Sequence, residues 1–308
     1  MKNKLLLLIF ILITSTLQIQ ADYRLLVEDA SINYDTKNFF SSNELVTPIP
    51  ITITPLSDSK ESLFITFSYG GLQFKDESQY FDLLPTETNN LIESSSLYFR
   101  QLYSQNKTIN YQLRKSPKAL TQLQPFQRIV DQSSVLTIYQ FDRLETLDDI
   151  NKTVVITIDN TKIHPAGYYT DIFNVNLYSG SITASNPTLV NSRQVKVELN
   201  IPNMSKVLNT TLKPIPEIDN HYLFSITFIS TCTTQLYIAK DMNIFELTSI
   251  SDGINQLQEN KTDYIYTFPF SPKAHTKEFL INMSPKKNID TKTEKKGFYF
   301  KYKLDELY

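Results

Sequence analysis

A single cysteine, Cys232, stands in a chain of 308 residues, so no disulfide can form within it. Its setting, Ser230-Thr231-Cys232-Thr233-Thr234, reads as a half-buried strand or turn, with pairing to another chain as the alternative. Tryptophan is absent and glycine is scarce at 6, and no glycine-rich phosphate loop occurs. Only three histidines are present, His164, His221 and His275, and none sits in a catalytic or metal motif. Cys-x-x-Cys and His-Glu-x-x-His spacings are missing. Surface or turn positions are expected for all three histidines, and neither an enzyme, a metal nor a cofactor is expected. Neither sign of charge dominates: the net charge is −2, which excludes the broad basic face that nucleic acid demands. Lysines do gather at Lys286-Lys287 and at Lys292 to Lys296, where a solvated loop accounts for them.

No apolar run after the first residues is long enough to span a bilayer. The start itself reads Met1-Lys2-Asn3-Lys4, an apolar run from Leu5 to Ile13, then a polar stretch ending at Ala21. Charge, short apolar core and small residue in that order make residues 1–21 a secretory signal peptide, cleaved after Ala21. A core of nine residues falls short of the roughly 20 of a membrane span. Export through the periplasm to the cell surface is the expectation. Six Asn-x-Ser/Thr triplets, at Asn106, Asn151, Asn203, Asn209, Asn260 and Asn282, arise readily by chance in a chain this rich in Asn, Ser and Thr.

What the sequence has in quantity is tyrosine (18) and phenylalanine (19), with many β-branched residues. These favour strands. Short alternating runs recur between polar breaks, at Ile49 to Thr54, Leu63 to Tyr69 and Val154 to Asp159. Period two puts one face on a core and one in water. Val195 to Leu199, Leu223 to Ile229, Gln235 to Ile238, Tyr264 to Phe270, Glu278 to Met283 and Phe298 to Leu304 continue the series. The expected fold is all-β: two consecutive immunoglobulin-like, pilin-like β-sandwiches. A stretch poor in apolar residues from Ser179 to Ser192 reads as a linker or a long exposed turn, dividing the chain into 22–185 and 190–308.

The two halves end alike. One closes with Ala166-Gly167-Tyr168-Tyr169-Thr170-Asp171, then Phe173, Val175 and Leu177; the other with Gly297-Phe298-Tyr299-Phe300-Lys301-Tyr302-Lys303-Leu304. The first pattern resembles the closing strand of the spore-coat-protein-U-like domain, the pilin fold of archaic chaperone–usher pili, which reads Ala-Gly-x-Tyr-x-Asp. The motif residues are Ala166, Gly167, Tyr169 and Asp171; Asn110-Tyr111-Gln112-Leu113 is similar to the family's central strand. A disulfide common in the family's first half has no counterpart here.

The resemblance implies a sandwich lacking one strand, whose groove is filled by a strand from a neighbouring pilin subunit and, in transit, from a periplasmic chaperone at an outer-membrane usher. Phe298, Phe300, Tyr302 and Leu304 would face into that groove, with Lys301, Lys303 and Asp305 outward. An ordinary terminal strand in a complete sandwich is the alternative. The chain enters strand-like sequence directly after Ala21, without a donor segment, which fits a tip or minor subunit. Attachment to a host or abiotic surface would fall to aromatic loops at Phe39-Phe40 and Tyr80-Phe81, unless these are buried. A free secreted β-sandwich that binds carbohydrate or protein without polymerising is the competing function.

Overall fold

The structure is a computed structural model describing residues 23–34, 43–57, 62–67, 100–118, 139–141, 149–180, 188–241, 245–286 and 301–307. Residues 1–22, with the expected signal peptide, and Phe39, Phe40, Tyr80, Phe81, Phe298 and Phe300 lie outside the described residues. Every regular element among those described is a strand, as the composition led one to expect. Two compact units form. The first comprises Met1–Ser31, Val46–Ile158 and Thr170–Glu198; the second comprises Ile32–Leu45, Asp159–Tyr169 and Leu199–Tyr308.

Ten strands make one sheet. In chain order they are β1 (Tyr23–Val27), β2 (Ala30–Asn33), β3 (Glu44–Pro55), β4 (Leu63–Phe67), β5 (Arg100–Ser104), β6 (Lys107–Arg114), β7 (Tyr139–Phe141), β8 (Ile150–Asp159), β9 (Gly167–Ser179) and β10 (Thr188–Ile201). Their order across the sheet is β1-β3-β8-β6-β5-β9-β10-β2, with β4 pairing β7 and β9. In β3 the expected alternation holds: Ile49, Ile51 and Ile53 are buried while Thr52 and Thr54 are half-buried. In β4 and β8 it does not. Leu63–Phe67 is buried at every position, and so are Val154 to Ile158, including Thr66 and Thr157. Both faces of these strands are covered, and a small β-branched polar residue packs on a covered face about as readily as on a wet one.

The first unit's core also takes a cation. Arg100 is 1% exposed, and its guanidinium carbon lies 5.2 Å from the centre of the Phe173 ring. That packing uses the flat, weakly hydrated guanidinium in a way an ammonium does not allow. The stretch from Ser179 to Ser192 is strand at both ends, because β9 continues to Ser179 and β10 begins at Thr188.

The second unit's own strands are β11 (Ser205–Pro214), β12 (His221–Ser230), β13 (Thr234–Ala239), β14 (Phe245–Ser251), β15 (Gln258–Glu259), β16 (Asp263–Phe268), β17 (His275–Pro285) and β18 (Tyr302–Glu306). They form two four-stranded sheets, β11-β12-β17-β14 and β15-β16-β13-β18. Alternation decides which side chains meet between them. Phe224, Ile226 and Phe228 of β12 and Phe279, Ile281 and Met283 of β17 enter one core with Leu236, Ile238, Tyr264 and Phe268 of the other sheet. Phe224 lies directly across from Phe279, with ring centres 6.1 Å apart, and Phe228 meets Phe268 edge to face at 4.8 Å. The register of β11 on β12 shifts between Val207 and Asn209, so Leu208 bulges out and is 49% exposed.

Candidate functional site: an open edge in the second unit

Strands β11 and β18 end their respective sheets, and both differ from the strands inside. Neither contains a buried residue. Yet each turns apolar side chains onto the shared core: Val207 and Leu212 from β11, Tyr302 and Leu304 from β18. The Tyr302 ring lies 5.9 Å from that of Phe224. Buried neighbours on one side and incomplete cover on the other make this pair of edges the candidate site.

Backbone phase shows what the two edges offer. The Ala239 N–H donates to the Lys301 carbonyl at 3.1 Å, and the Leu307 N–H donates to the Thr233 carbonyl at 2.9 Å. In an antiparallel pair such residues alternate with ones whose N–H and C=O point the other way. Lys301, Lys303, Asp305 and Leu307 therefore direct their backbone at β13. Tyr302, Leu304 and Glu306 direct theirs outward, where no described strand pairs with them. On β11 the Met204 carbonyl accepts the Thr231 N–H, and the Ile215 N–H donates to the His221 carbonyl. With the register shift, that phase turns the backbones of Val207, Thr210 and Leu212 outward as well. On both edges the residues facing the core are those whose backbones are open.

The two ends of these edges differ in polarity. Toward Tyr302 and Leu212 the lining is apolar; at the other end the Ser205 hydroxyl donates to Glu306 Oε1 at 2.6 Å. On the outward face, Lys303 Nζ pairs with the Asp305 carboxylate at 2.6 Å. Of the expected groove residues, Tyr302 and Leu304 pack against the core. Sequence reasoning missed Ser205, Val207, Leu212 and Glu306. Glu306 continues the i, i+2 series from Tyr302 and was findable on that ground; the others belong to a strand whose bulge interrupts its alternation.

The Ala-Gly-x-Tyr-x-Asp residues build structure instead of a surface. The Ala166 N–H donates to the Thr231 carbonyl at 2.7 Å. Tyr169 is fully buried and donates its hydroxyl to the Pro165 carbonyl, four residues back, at 2.7 Å, in the manner of the tyrosine corner of immunoglobulin-like folds. Burial pushes its phenol up to about 12. Gly167 opens β9, and Asp171, fully buried in the first unit, accepts the Tyr111 hydroxyl at 2.7 Å.

The chain matches no protein-family model and no curated protein. Solved structures do resemble it. One is the CsuC–CsuE chaperone–tip adhesion subunit pre-assembly complex from archaic chaperone–usher Csu pili of Acinetobacter baumannii, at 6% identity, covering 92% of this chain and 100% of that one, with a TM-score of 0.35. Another is the CupB6 tip adhesin from Pseudomonas aeruginosa, at 10% identity, 84% and 89% coverage and a TM-score of 0.39. The class 5 fimbriae chaperone CfaA also matches, at 10% identity, 91% and 99% coverage and a TM-score of 0.24. Identities and TM-scores this low assign neither a family nor a function.

The histidines are less exposed than the sequence led one to expect. His164 Nε2 lies 2.7 Å from the Asp159 carbonyl, and His221 Nδ1 lies 2.9 Å from the Asp219 carbonyl. The His275 ring stacks on Phe228 at 5.0 Å, and its Nε2 is buried without a hydrogen-bond partner among the described residues. Turn sequences around His164 and His275 fold back onto aromatic side chains, which local sequence does not reveal. Cys232 is likewise buried, beside the Ser230 hydroxyl at 3.7 Å, and is not presented to another chain. No cluster of three or more ligating side chains occurs among the described residues.

Burial holds the His275 ring below the ordinary imidazole range, with a bond to the Pro269 backbone opposing it. His164 is lowered for the same first reason. Both rings bind protons more weakly folded than unfolded, so their stabilising effect is complete above about pH 6.5 and is lost as pH falls toward their folded values. Urea midpoints are therefore expected to drop between pH 7 and pH 5. His275→Phe, which keeps the ring stack, should flatten part of that drop; an unchanged pH slope in the variant would show that His275 does not contribute.

Proposed function

We propose that this chain is an exported, non-enzymatic structural or adhesive subunit of a chaperone–usher-type surface fibre. In this reading the second unit accepts a β-strand between β11 and β18. The donor is a periplasmic chaperone during transit and a neighbouring subunit in the fibre, delivered at an outer-membrane usher. Residues 22–185 then carry attachment to a host or abiotic surface, and the subunit sits at the tip or in a minor position.

The observation that carries this is the phase of the two edges. Core-facing apolar side chains and open backbone groups fall on the same residues of β11 and β18, so one extended segment would satisfy both. Left uncovered, such edges invite uncontrolled pairing, which is why a temporary strand is required.

Alternating apolar peptides, added to the full chain, test the reading by thermal unfolding. Binding to the folded form alone adds about 2.7 kcal/mol at a hundredfold excess over Kd, a rise of several degrees in Tm for a domain of this size. No rise with any alternating peptide, in either chain direction, removes the strand-accepting groove and leaves the free, non-polymerising binding protein as the better account.

A further inference from the structure

We infer that the strand received at this edge presents a basic side chain to Glu306, two and four residues along from two apolar side chains that settle beside Leu304 and Tyr302. This rests on the strand-accepting reading above and names the chemistry of the donor.

The backbone of β18 offers three residues to a partner, Tyr302, Leu304 and Glu306, and their side chains all turn to the interior. A strand laid beside them places its own inward side chains at the same three levels, because neighbours across a sheet share a face. The first two levels are apolar: Tyr302 rests on Phe224, and Leu304 packs against the common core. An apolar donor residue completes the cover at each.

The third level is different in kind. Glu306 is half-buried, and the Ser205 hydroxyl donates a hydrogen bond to it at 2.6 Å. A hydroxyl supplies a hydrogen bond but no compensating charge. The adjacent cation, Lys303, lies on the opposite face; Asp305 at 2.6 Å holds it first, and the Glu306 charge is the weakest of the groups that raise its ammonium above the ordinary lysine range. No described ion pair involves Glu306. While the edge is open, water solvates the carboxylate. Laying a strand between β11 and β18 removes that water and parts Glu306 from the Ser205 hydroxyl, and a half-buried charge without an opposite charge is disfavoured. A lysine or arginine at that level restores the balance, whereas an acidic residue there is repelled. The donor motif is thus apolar-x-apolar-x-Lys/Arg when the strand runs parallel to β18, and the reverse when it runs antiparallel.

Such a charge acts as a register mark. Shifting the donor by two residues one way moves its basic side chain beside Leu304, and the other way puts an apolar side chain on Glu306, so a slip in either direction is disfavoured.

The test uses the full chain and three peptides with identical apolar positions, carrying Lys, Ala or Glu at the marked place, each made in both directions. Affinities are measured by fluorescence anisotropy. The Lys peptide is expected to bind about tenfold more tightly than the Glu peptide. Glu306→Lys should reverse that order and Glu306→Gln should abolish it, with circular dichroism confirming that both variants keep the wild-type fold. Equal affinities for the three peptides, or an order that persists in Glu306→Gln, overturn the inference while leaving the groove in place. If none of the peptides binds, the strand-accepting reading fails and the inference falls with it.

Discussion

Phe228→Ala is expected to lower stability by about 3–5 kcal/mol, the range for removing a large aromatic side chain from a packed core. Phe228 is fully buried, meets Phe268 edge to face at 4.8 Å and stacks with the His275 ring at 5.0 Å, which itself lies 5.3 Å from Phe268. Deleting its ring removes two aromatic contacts as well as buried area, and the neighbours that would have to collapse belong to strands held by continuous backbone pairing. Typical domains have about 5–15 kcal/mol in total, so the second unit would lie close to its limit. Urea denaturation followed by circular dichroism should show a large fall in midpoint; a change under about 1 kcal/mol would mean that Phe228 is not at the centre of this core.

Tyr111→Phe is expected to cost about 1–3 kcal/mol, although it deletes one atom. The Tyr111 hydroxyl donates to Asp171 Oδ2 at 2.7 Å, and both side chains are shielded from water. Phenylalanine keeps the ring's packing and leaves the carboxylate short of a donor that no solvent replaces. The loss belongs to the first unit, so the signal should appear in the protection of β6 and β9 amides against hydrogen exchange, with β12 and β17 unaffected. Combining it with Asp171→Asn in a double-mutant cycle separates this bond from the packing: if Tyr111→Phe costs the same in both backgrounds, the bond contributes nothing.

Much of the fold was legible because strand pattern is a local property. Leu223 to Ile229, Gln235 to Ile238 and Glu278 to Met283 became β12, β13 and β17, with Phe224, Ile226 and Phe228 inward as period two demands. Tyr302 and Leu304 were placed on the core side of the last strand by the same rule. The rule failed where a strand is covered on both faces, as at Leu63–Phe67, since a strand's own letters do not record what lies against its second face. It also failed at β11, where the bulge at Leu208 breaks the alternation, so that Val207 and Leu212 are an odd number of residues apart yet face one way.

The sequence by itself determined that the chain would be all-β, that no internal disulfide would hold it, and which residues of most strands would face a core. These follow from residue type and spacing, which act within a few residues. Only the tertiary structure decided that β11 and β18 end their sheets, that their open backbones fall on core-facing residues, and that Ser205 meets Glu306. Sheet edges that meet are relations between segments about a hundred residues apart, set by which strands find partners among the described residues, and no local pattern carries that information.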